Sequence, residues 1–258
     1  MFIDSHAHLD DERFNEDRTE LINSLKENKI DMVLNIGYDL ESSRASVQLA
    51  NEYSQIYAVI GVHPHDAQDV PEDYLDQLRE LSKEEKVLAI GEIGLDFYYD
   101  NSPRETQRKV FKEQIGLAKE LNLPVVIHTR DADQETFEII KEAVQNGGLR
   151  GVMHCYSGSV EMAREYLKLG FYISLGGPVT FKKARVPKEV AKAVPLNRLF
   201  IETDCPYLTP EPFRGRRNEP KYVAYTAETI AEIKGISIEE LAEVTSRNVK
   251  ELFEILKN

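Results

Sequence analysis

Short apolar runs rich in β-branched residues alternate with longer segments of helical period, and the alternation continues to about residue 200 with the spacing of βαβ units. The runs predict eight strands: Phe2–Ser5, Met32–Ile36, Tyr57–Val62, Val87–Glu92, Val125–His128, Gly151–His154, Phe171–Leu175 and Leu199–Glu202. Several, such as Val125-Val126-Ile127, are apolar at every position. That is the pattern of a parallel strand covered on both faces. Between the runs lie amphipathic stretches such as Arg104–Leu121, with Val110, Phe111, Ile115 and Leu117 on one side and Ser102-Pro103 as its start. After the eighth strand the period predicts further helices over Val223–Lys234, Ile238–Thr245 and Val249–Leu256, with Ser237 and Glu240 placed as a capping box.

Eight β/α repeats predict a single (β/α)8 barrel domain over residues 1–258, a length normal for that fold. The competing architecture is a doubly wound open sheet. The strand count weighs against it, as does the lack of a Gly-x-Gly-x-x-Gly turn after the first strand.

Composition adds a compartment and a constraint on partners. Two cysteines, Cys155 and Cys205, are too few for a disulfide framework and fit a reducing compartment. Residues 1–10 lack the basic flank and apolar centre of a signal peptide, and no apolar run approaches a membrane span, so a cytoplasmic protein is expected. With 32 basic and 45 acidic residues the net charge is −13. Such a surface repels polyanions at long range and argues against a nucleic-acid coat protein. A nuclease stays possible, because bound cations reverse the field locally.

The six histidines sharpen the picture. His6 and His8 belong to the first predicted strand, His63 and His65 to the third, His128 to the fifth and His154 to the sixth, all at or just after the C-terminal end. The fourth strand ends at Glu92, and the eighth runs into Glu202-Thr203-Asp204. In a barrel these ends ring the mouth where active sites are built. Isolated histidines at strand ends are commonly structural, but six of six on one rim point to a shared polar centre. His6 and His8, two apart on a strand, project the same way and can reach one ion. Imidazole with carboxylate suits zinc, manganese or ferrous iron. With Glu92 and Asp204 the donors exceed what one catalytic ion takes, which predicts two ions.

Basic residues gather after the same strand ends: Arg130 after the fifth, Lys182, Lys183 and Arg185 after the seventh, and Arg214, Arg216 and Arg217 after the eighth. Guanidinium and ammonium groups so placed would position a phosphodiester backbone. Ordinary solvated loop charge is the alternative for each alone. Tyr156, Phe181 and Tyr207 are candidates to stack an unpaired base or to pack. Cys155 and Cys205 read as buried packing residues.

Ile3-Asp4-Ser5-His6-Ala7-His8-Leu9, Gly61-Val62-His63-Pro64-His65, Gly91-Glu92-Ile93-Gly94-Leu95-Asp96, Ile127-His128, His154-Cys155-Tyr156-Ser157-Gly158, Glu202-Thr203-Asp204 and the segment from Tyr207-Leu208-Thr209-Pro210 to Asn218-Glu219-Pro220 follow one another in this order. Together they resemble the signature blocks of the TatD family, metal-dependent deoxyribonucleases of the amidohydrolase barrel group. The resemblance implies that His6, His8 and Asp204 hold one ion, that His128 and His154 hold the second, and that Glu92 bridges them. It implies two divalent ions (zinc, manganese, iron or magnesium) and DNA, single-stranded or frayed, as a transient partner cut from an end. Asp204 is the candidate to orient the attacking water and take its proton, with Glu92 as the second catalytic carboxylate. His63, His65, Glu202, Arg130 and Arg216 are expected to contact substrate or support the ligands, and Asp96 to hydrogen-bond at the rim. A monomer is compatible with all of this. The competing functions are an amide or ester hydrolase on the same site, such as an aminoacyl-tRNA deacylase, and a non-enzymatic metal scaffold.

Overall fold

In the computed structural model, which describes residues 1–255, strands and helices alternate in the predicted order. They are β1 (Phe2–Ala7), α1 (Arg18–Asn23), β2 (Ile30–Ile36), α2 (Leu40–Glu52), β3 (Ile56–Ile60), α3 (Tyr74–Leu81), β4 (Val87–Asp96), α4 (Arg104–Leu121), β5 (Val125–Arg130), α5 (Asp133–Gln145), β6 (Gly151–Met153), α6 (Val160–Lys168), β7 (Tyr172–Leu175), α7 (Arg185–Ala193), β8 (Leu199–Ile201), α8 (Val223–Lys234) and α9 (Ile238–Leu252). The strands form one sheet in chain order, β1 to β8. Beyond that order, β8 reaches β1 through the parallel bridge Ala7↔Cys205. The fold is the (β/α)8 barrel that the alternation predicts.

The chain falls into two compact units. One comprises residues 1–35, 154–167 and those from Tyr172 onward. It contains the parallel ladders β1–β2 and β7–β8, with Ile3↔Met32 and Ser174↔Phe200 among the facing pairs. Its core holds Ile3, Phe14, Ile22, Tyr166, Phe200, Ile230 and Leu241, all buried. The other comprises residues 36–153 and 168–171 and contains the ladders β3–β4–β5–β6. Leu78, Ile90, Phe111, Val126, Ile127 and Ile140 are fully buried there.

Helix α4 shows how the pattern builds the second unit. It runs over the predicted residues, opens after Pro103 and stops at Asn122, which adopts the left-handed conformation that ends helices. Its buried face includes Val110, Phe111, Ile115 and Leu117, and also two glutamines, Gln107 and Gln114. Their amides end the strands. Gln114 accepts from Val62 N (2.8 Å) and donates to Val62 O (2.9 Å); Gln107 accepts from Asp96 N (2.9 Å) and donates to Asp96 O (3.1 Å). Where β3 and β4 stop pairing, these side chains satisfy backbone groups that burial would otherwise leave unbonded.

Most strand ends differ from the predicted ones by one or two residues, and two boundaries shift further. Strand β4 extends to Asp96, four residues beyond the predicted end. The predicted helices 238–245 and 249–256 are one helix, α9, through Leu252; Leu256 lies outside the described residues. The polar residues 246–248 suggest a break, but Asn248 is buried, and its amide donates to Leu196 O and Leu199 O at 2.9 Å each. A polar residue with both donors satisfied occupies the inner face without interrupting the helix. Among the described residues no helix is long and apolar enough to cross a membrane.

Gly94 fixes the β4–β5 register beside the candidate site. Its φ is +151°, and a Cβ there would lie 1.8 Å from His128 O. Gly94→Ala is therefore expected to cost about 3 kcal/mol or more, because the obstruction is backbone and no rotamer relieves it. Urea unfolding monitored by circular dichroism measures this; a loss below about 0.5 kcal/mol would mean that the two strands are not fixed at this point.

Candidate metal centre

In the first unit, β1 carries His6 and delivers His8 one residue past its end. The exit of β8 is bonded to it by Asp204 N to His6 O (2.9 Å) and His8 N to Cys205 O (2.8 Å). Asp204 has φ +57°, a left-handed conformation that aspartate adopts more readily than most residues. The result places Asp204 Oδ1 3.7 Å from His6 Nε2 and 3.5 Å from His8 Nε2. These separations exceed a good hydrogen bond. They match the roughly 3.4 Å between ligand atoms that each stand 2.0–2.2 Å from one tetrahedral ion.

His154, one residue beyond β6, stacks on His6 with ring centroids 3.6 Å apart. Its Nδ1 lies 3.0 Å from Glu202 Oε1. Glu202 is buried and saturated with donors, taking Cys155 N on Oε1 (2.7 Å) and Ser174 Oγ on Oε2 (2.5 Å). With Nδ1–H given to this carboxylate, His154 presents Nε2 to an ion, the arrangement by which carboxylates orient metal-binding histidines. His6, His154 and Glu202 offer donor atoms within one ion's reach.

The loops around this cluster are tied down by polar side chains. Asn35 accepts from Leu9 N (2.5 Å) and donates to Asp10 (2.8 Å), while Arg18 donates to the carbonyls of Leu9, Asp10 and Asp11. Buried Asn218 donates to Thr203 O (2.8 Å) and Tyr207 O (2.6 Å), bracketing Asp204. Asp4 accepts from Thr203 N and Oγ1 at 2.8 and 2.6 Å, and burial pushes its carboxyl up to about 8.

In the second unit the donors are His63, His65, Glu92, Asp96 and His128. Glu92 and Asp96, four apart on β4, project to the same face, and both are buried. His128 lies between them, with Nδ1 3.0 Å from Glu92 Oε1 and Nε2 3.1 Å from Asp96 Oδ2. A neutral imidazole carries one proton. If Asp96 takes it, the Nδ1 lone pair faces a carboxylate oxygen, a contact that a shared cation relieves. His63 differs. Its Nδ1 accepts from His65 N (3.2 Å), so the neutral ring's proton is on Nε2, 3.7 Å from Glu92 Oε1. At that distance no hydrogen bond joins them, and His63 groups with Glu92 and His128 as a possible cation cluster.

Charge states agree with these roles. Burial, followed by the neighbouring His128, holds His63 well below the usual imidazole range, so the ring is neutral near pH 7. Burial opposes ionisation of Asp204, but His8, His154 and His6 outweigh it and hold the carboxyl below its usual value. Burial likewise opposes ionisation of Asp96, where hydrogen bonds from His128, His65 and Tyr99 N prevail and hold the carboxyl low. Imidazole beside ionised carboxylate is the donor set of zinc, manganese or ferrous iron.

Asp96 is more central than its sequence position indicated. Oδ2 bonds His65 Nε2 (2.9 Å) and His128, and Oδ1 accepts from Tyr98 N (3.0 Å) and Tyr99 N (2.9 Å). Its period-two spacing from Glu92 was the available signal. Nothing comparable marks Asn35 or Asn218, which act through backbone bonds that only the tertiary structure brings together.

The basic residues part company. Arg217 is committed to Asp17 (2.5 Å) and Glu219 (3.2 Å) and donates to Arg13 O, which makes it a structural tie. Arg185 pairs with Glu189 (3.5 Å). Arg214 lies over the Phe181 ring (3.8 Å), and Arg216 is exposed, 5.6 Å from the Phe213 ring. Lys182 and Lys183 are exposed. Arg130 is exposed at the end of β5. Tyr156 is buried with its hydroxyl on Ser159 O, a packing residue, whereas Tyr207 is half exposed, 6.1 Å from the His8 ring. Cys205 is buried as expected; Cys155 is only partly so.

A family model described as TatD related DNase matches residues 3–254. An uncharacterized metal-dependent hydrolase of Bacillus subtilis, YabD, is 51% identical over 99% of this chain and 100% of its own length. One of Escherichia coli, YcfH, is 40% identical over 99% of this chain and 96% of its own. The crystal structure of YjjV, a TatD homologue from Escherichia coli, superposes with a TM-score of 0.92 at 30% identity, covering 99% of this chain and 98% of that one.

Two outcomes follow from the donor geometry. Titrating metal-depleted protein with zinc or manganese should raise its melting temperature, by about 2.7 kcal/mol of stability at a hundredfold excess over Kd. His6→Ala should remove most of the gain at the first cluster; an unchanged response would dismiss His6 as a ligand. Glu202→Gln should weaken metal retention roughly 10- to 100-fold, read by elemental analysis after dialysis, since a neutral amide cannot accept from all three of its present donors.

Proposed function

Because the chain belongs to the TatD-related DNase family and is a metal-dependent hydrolase, we propose that it hydrolyses phosphodiester bonds of DNA, removing nucleotides from single-stranded or frayed ends. The full-length family match carries this reading. His6, His8 and Asp204 would hold one divalent ion, and His128 and His154 the other, with Glu92 shared between them as the resemblance implies. When bound, such ions lower the pKa of water and polarise a phosphoryl oxygen.

The side chains supply the remainder. Asp204, ionised by its histidine neighbours, orients the attacking water and accepts its proton on a carboxylate oxygen. Glu202 and Asp96 keep His154 and His128 in fixed tautomers, so the ligands need no rearrangement. His63 stands beside Glu92 with Nε2 3.7 Å from its carboxylate, close enough to share a cation with it. Arg130, cationic and exposed beside the second cluster, positions a substrate phosphate without taking part in bond cleavage, and Arg216 is the corresponding candidate in the first unit.

End-labelled single-stranded DNA tests the proposal. Incubation with manganese, magnesium or zinc should release nucleotides, a chelator should stop release, and Glu92→Gln or Asp204→Asn should slow it roughly a hundredfold or more. The end that shortens gives the polarity. No release from protein shown to carry metal would sink the DNase reading and direct the search to ester and amide substrates. Full activity of Asp204→Asn at full metal occupancy would remove Asp204 as the proton acceptor.

A further inference from the structure

Tyr98 and Tyr99, at the turn leaving β4, are 57% and 54% exposed, the most exposed aromatic side chains among the described residues. Water is an unfavourable environment for two adjacent rings. Their rings meet edge to face with centroids 4.9 Å apart. The Arg130 guanidinium lies 3.9 Å from the Tyr98 centroid and 4.7 Å from that of Tyr99. In a chain of net charge −13, Arg13, Arg79, Arg104, Arg108 and Arg217 each pair with carboxylates, whereas among the described residues the Arg130 side chain rests on rings alone. Its charge is left for an anion from outside.

The pair is also fixed relative to the second cluster. Asp96 Oδ1 accepts from the backbone N–H of both tyrosines, and the same carboxylate's Oδ2 bonds His65 and His128. Tyr99 further meets the His65 ring at 5.3 Å. One buried carboxylate therefore sets the position of a histidine assigned to the metal site and of two exposed rings. Aromatic faces beside a cation are the means by which proteins hold unpaired nucleotides, the face stacking on the base and the cation meeting the phosphate.

We propose that Tyr98, Tyr99 and Arg130 form a stacking platform for an unpaired base of the DNA strand next to the scissile phosphate, and so select single-stranded ends. This rests on the phosphodiesterase reading and deepens it. A base in a duplex is already stacked and has no free face to offer. Tyr98 and Tyr99 act on binding, not on bond cleavage.

The test separates binding from cleavage. Metal-loaded protein is titrated with a fluorescent phosphorothioate oligothymidylate, which resists hydrolysis, and with the same backbone lacking bases, anisotropy giving Kd. The wild type should bind the base-containing strand roughly tenfold more tightly. Tyr98→Ala with Tyr99→Ala should abolish that preference while binding the abasic strand as before. Tyr98→Phe with Tyr99→Phe, which keeps the faces, should preserve it. Circular dichroism and metal content equal to those of wild type verify that the alanine pair is folded and loaded. Equal Kd values of the alanine pair and wild type for the base-containing strand, or no preference for bases in the wild type, would overturn the platform. Base preference without cleavage of ordinary DNA would instead overturn the DNase reading and leave the platform standing.

Discussion

Electron-rich atoms crowded in a buried space repel one another unless a proton or a cation stands between them, and the polar interior of this protein is arranged around that requirement. Carboxylates and imidazoles cannot be left facing each other in low dielectric without cost. Protons resolve part of the problem, as where Glu202 takes donors from His154, Cys155 and Ser174. They do not resolve all of it. Asp204 sits at 3.5 and 3.7 Å from two imidazole nitrogens, too far for strong hydrogen bonds and well spaced for a common positive ion. The same logic separates the histidines by role. One whose nitrogen is occupied by a backbone donor, as His63 is, keeps its proton on the other; those backed by a carboxylate present the other nitrogen.

The scaffold serves this requirement through backbone chemistry at the strand ends. Strands stop pairing where the site begins, leaving buried N–H and C=O groups that water cannot reach. Side-chain amides fill the gap: Gln107 and Gln114 in one unit, Asn35 and Asn218 in the other. Each has donor and acceptor on one planar group, which suits it to close a backbone position that a carboxylate or an amine could only half satisfy. The loops that carry the candidate ligands are thus tied by hydrogen bonds, as a fixed donor geometry requires.

Much of this was legible in the chain. The apolar runs placed all eight strands, because fully buried parallel strands have no polar face to blur the signal, and the histidines marked which strand ends carry the site. His6 and His8 could be paired from their spacing alone. What the pattern missed had identifiable physical causes. Asn248 reads as a helix break because polarity predicts exposure, yet its amide is satisfied internally. Asp96 was ranked below Glu92, though strand periodicity put both on one face. Arg217 looked like a substrate contact because charge in a loop does not reveal its partner; Asp17, two hundred residues away in sequence, was that partner.

The bonding of β8 to β1 has a consequence for the protein's biosynthesis. His6 and His8 are synthesised before the carboxylate that completes their cluster: Asp204 follows nearly two hundred residues later, and so does the strand that fixes its position. Contacts of such long sequence separation are slow to form. A nascent or prematurely terminated chain therefore cannot assemble that cluster. Connectivity alone sets this order: the cluster comes into being only after every strand from β1 to β8 has been released to fold.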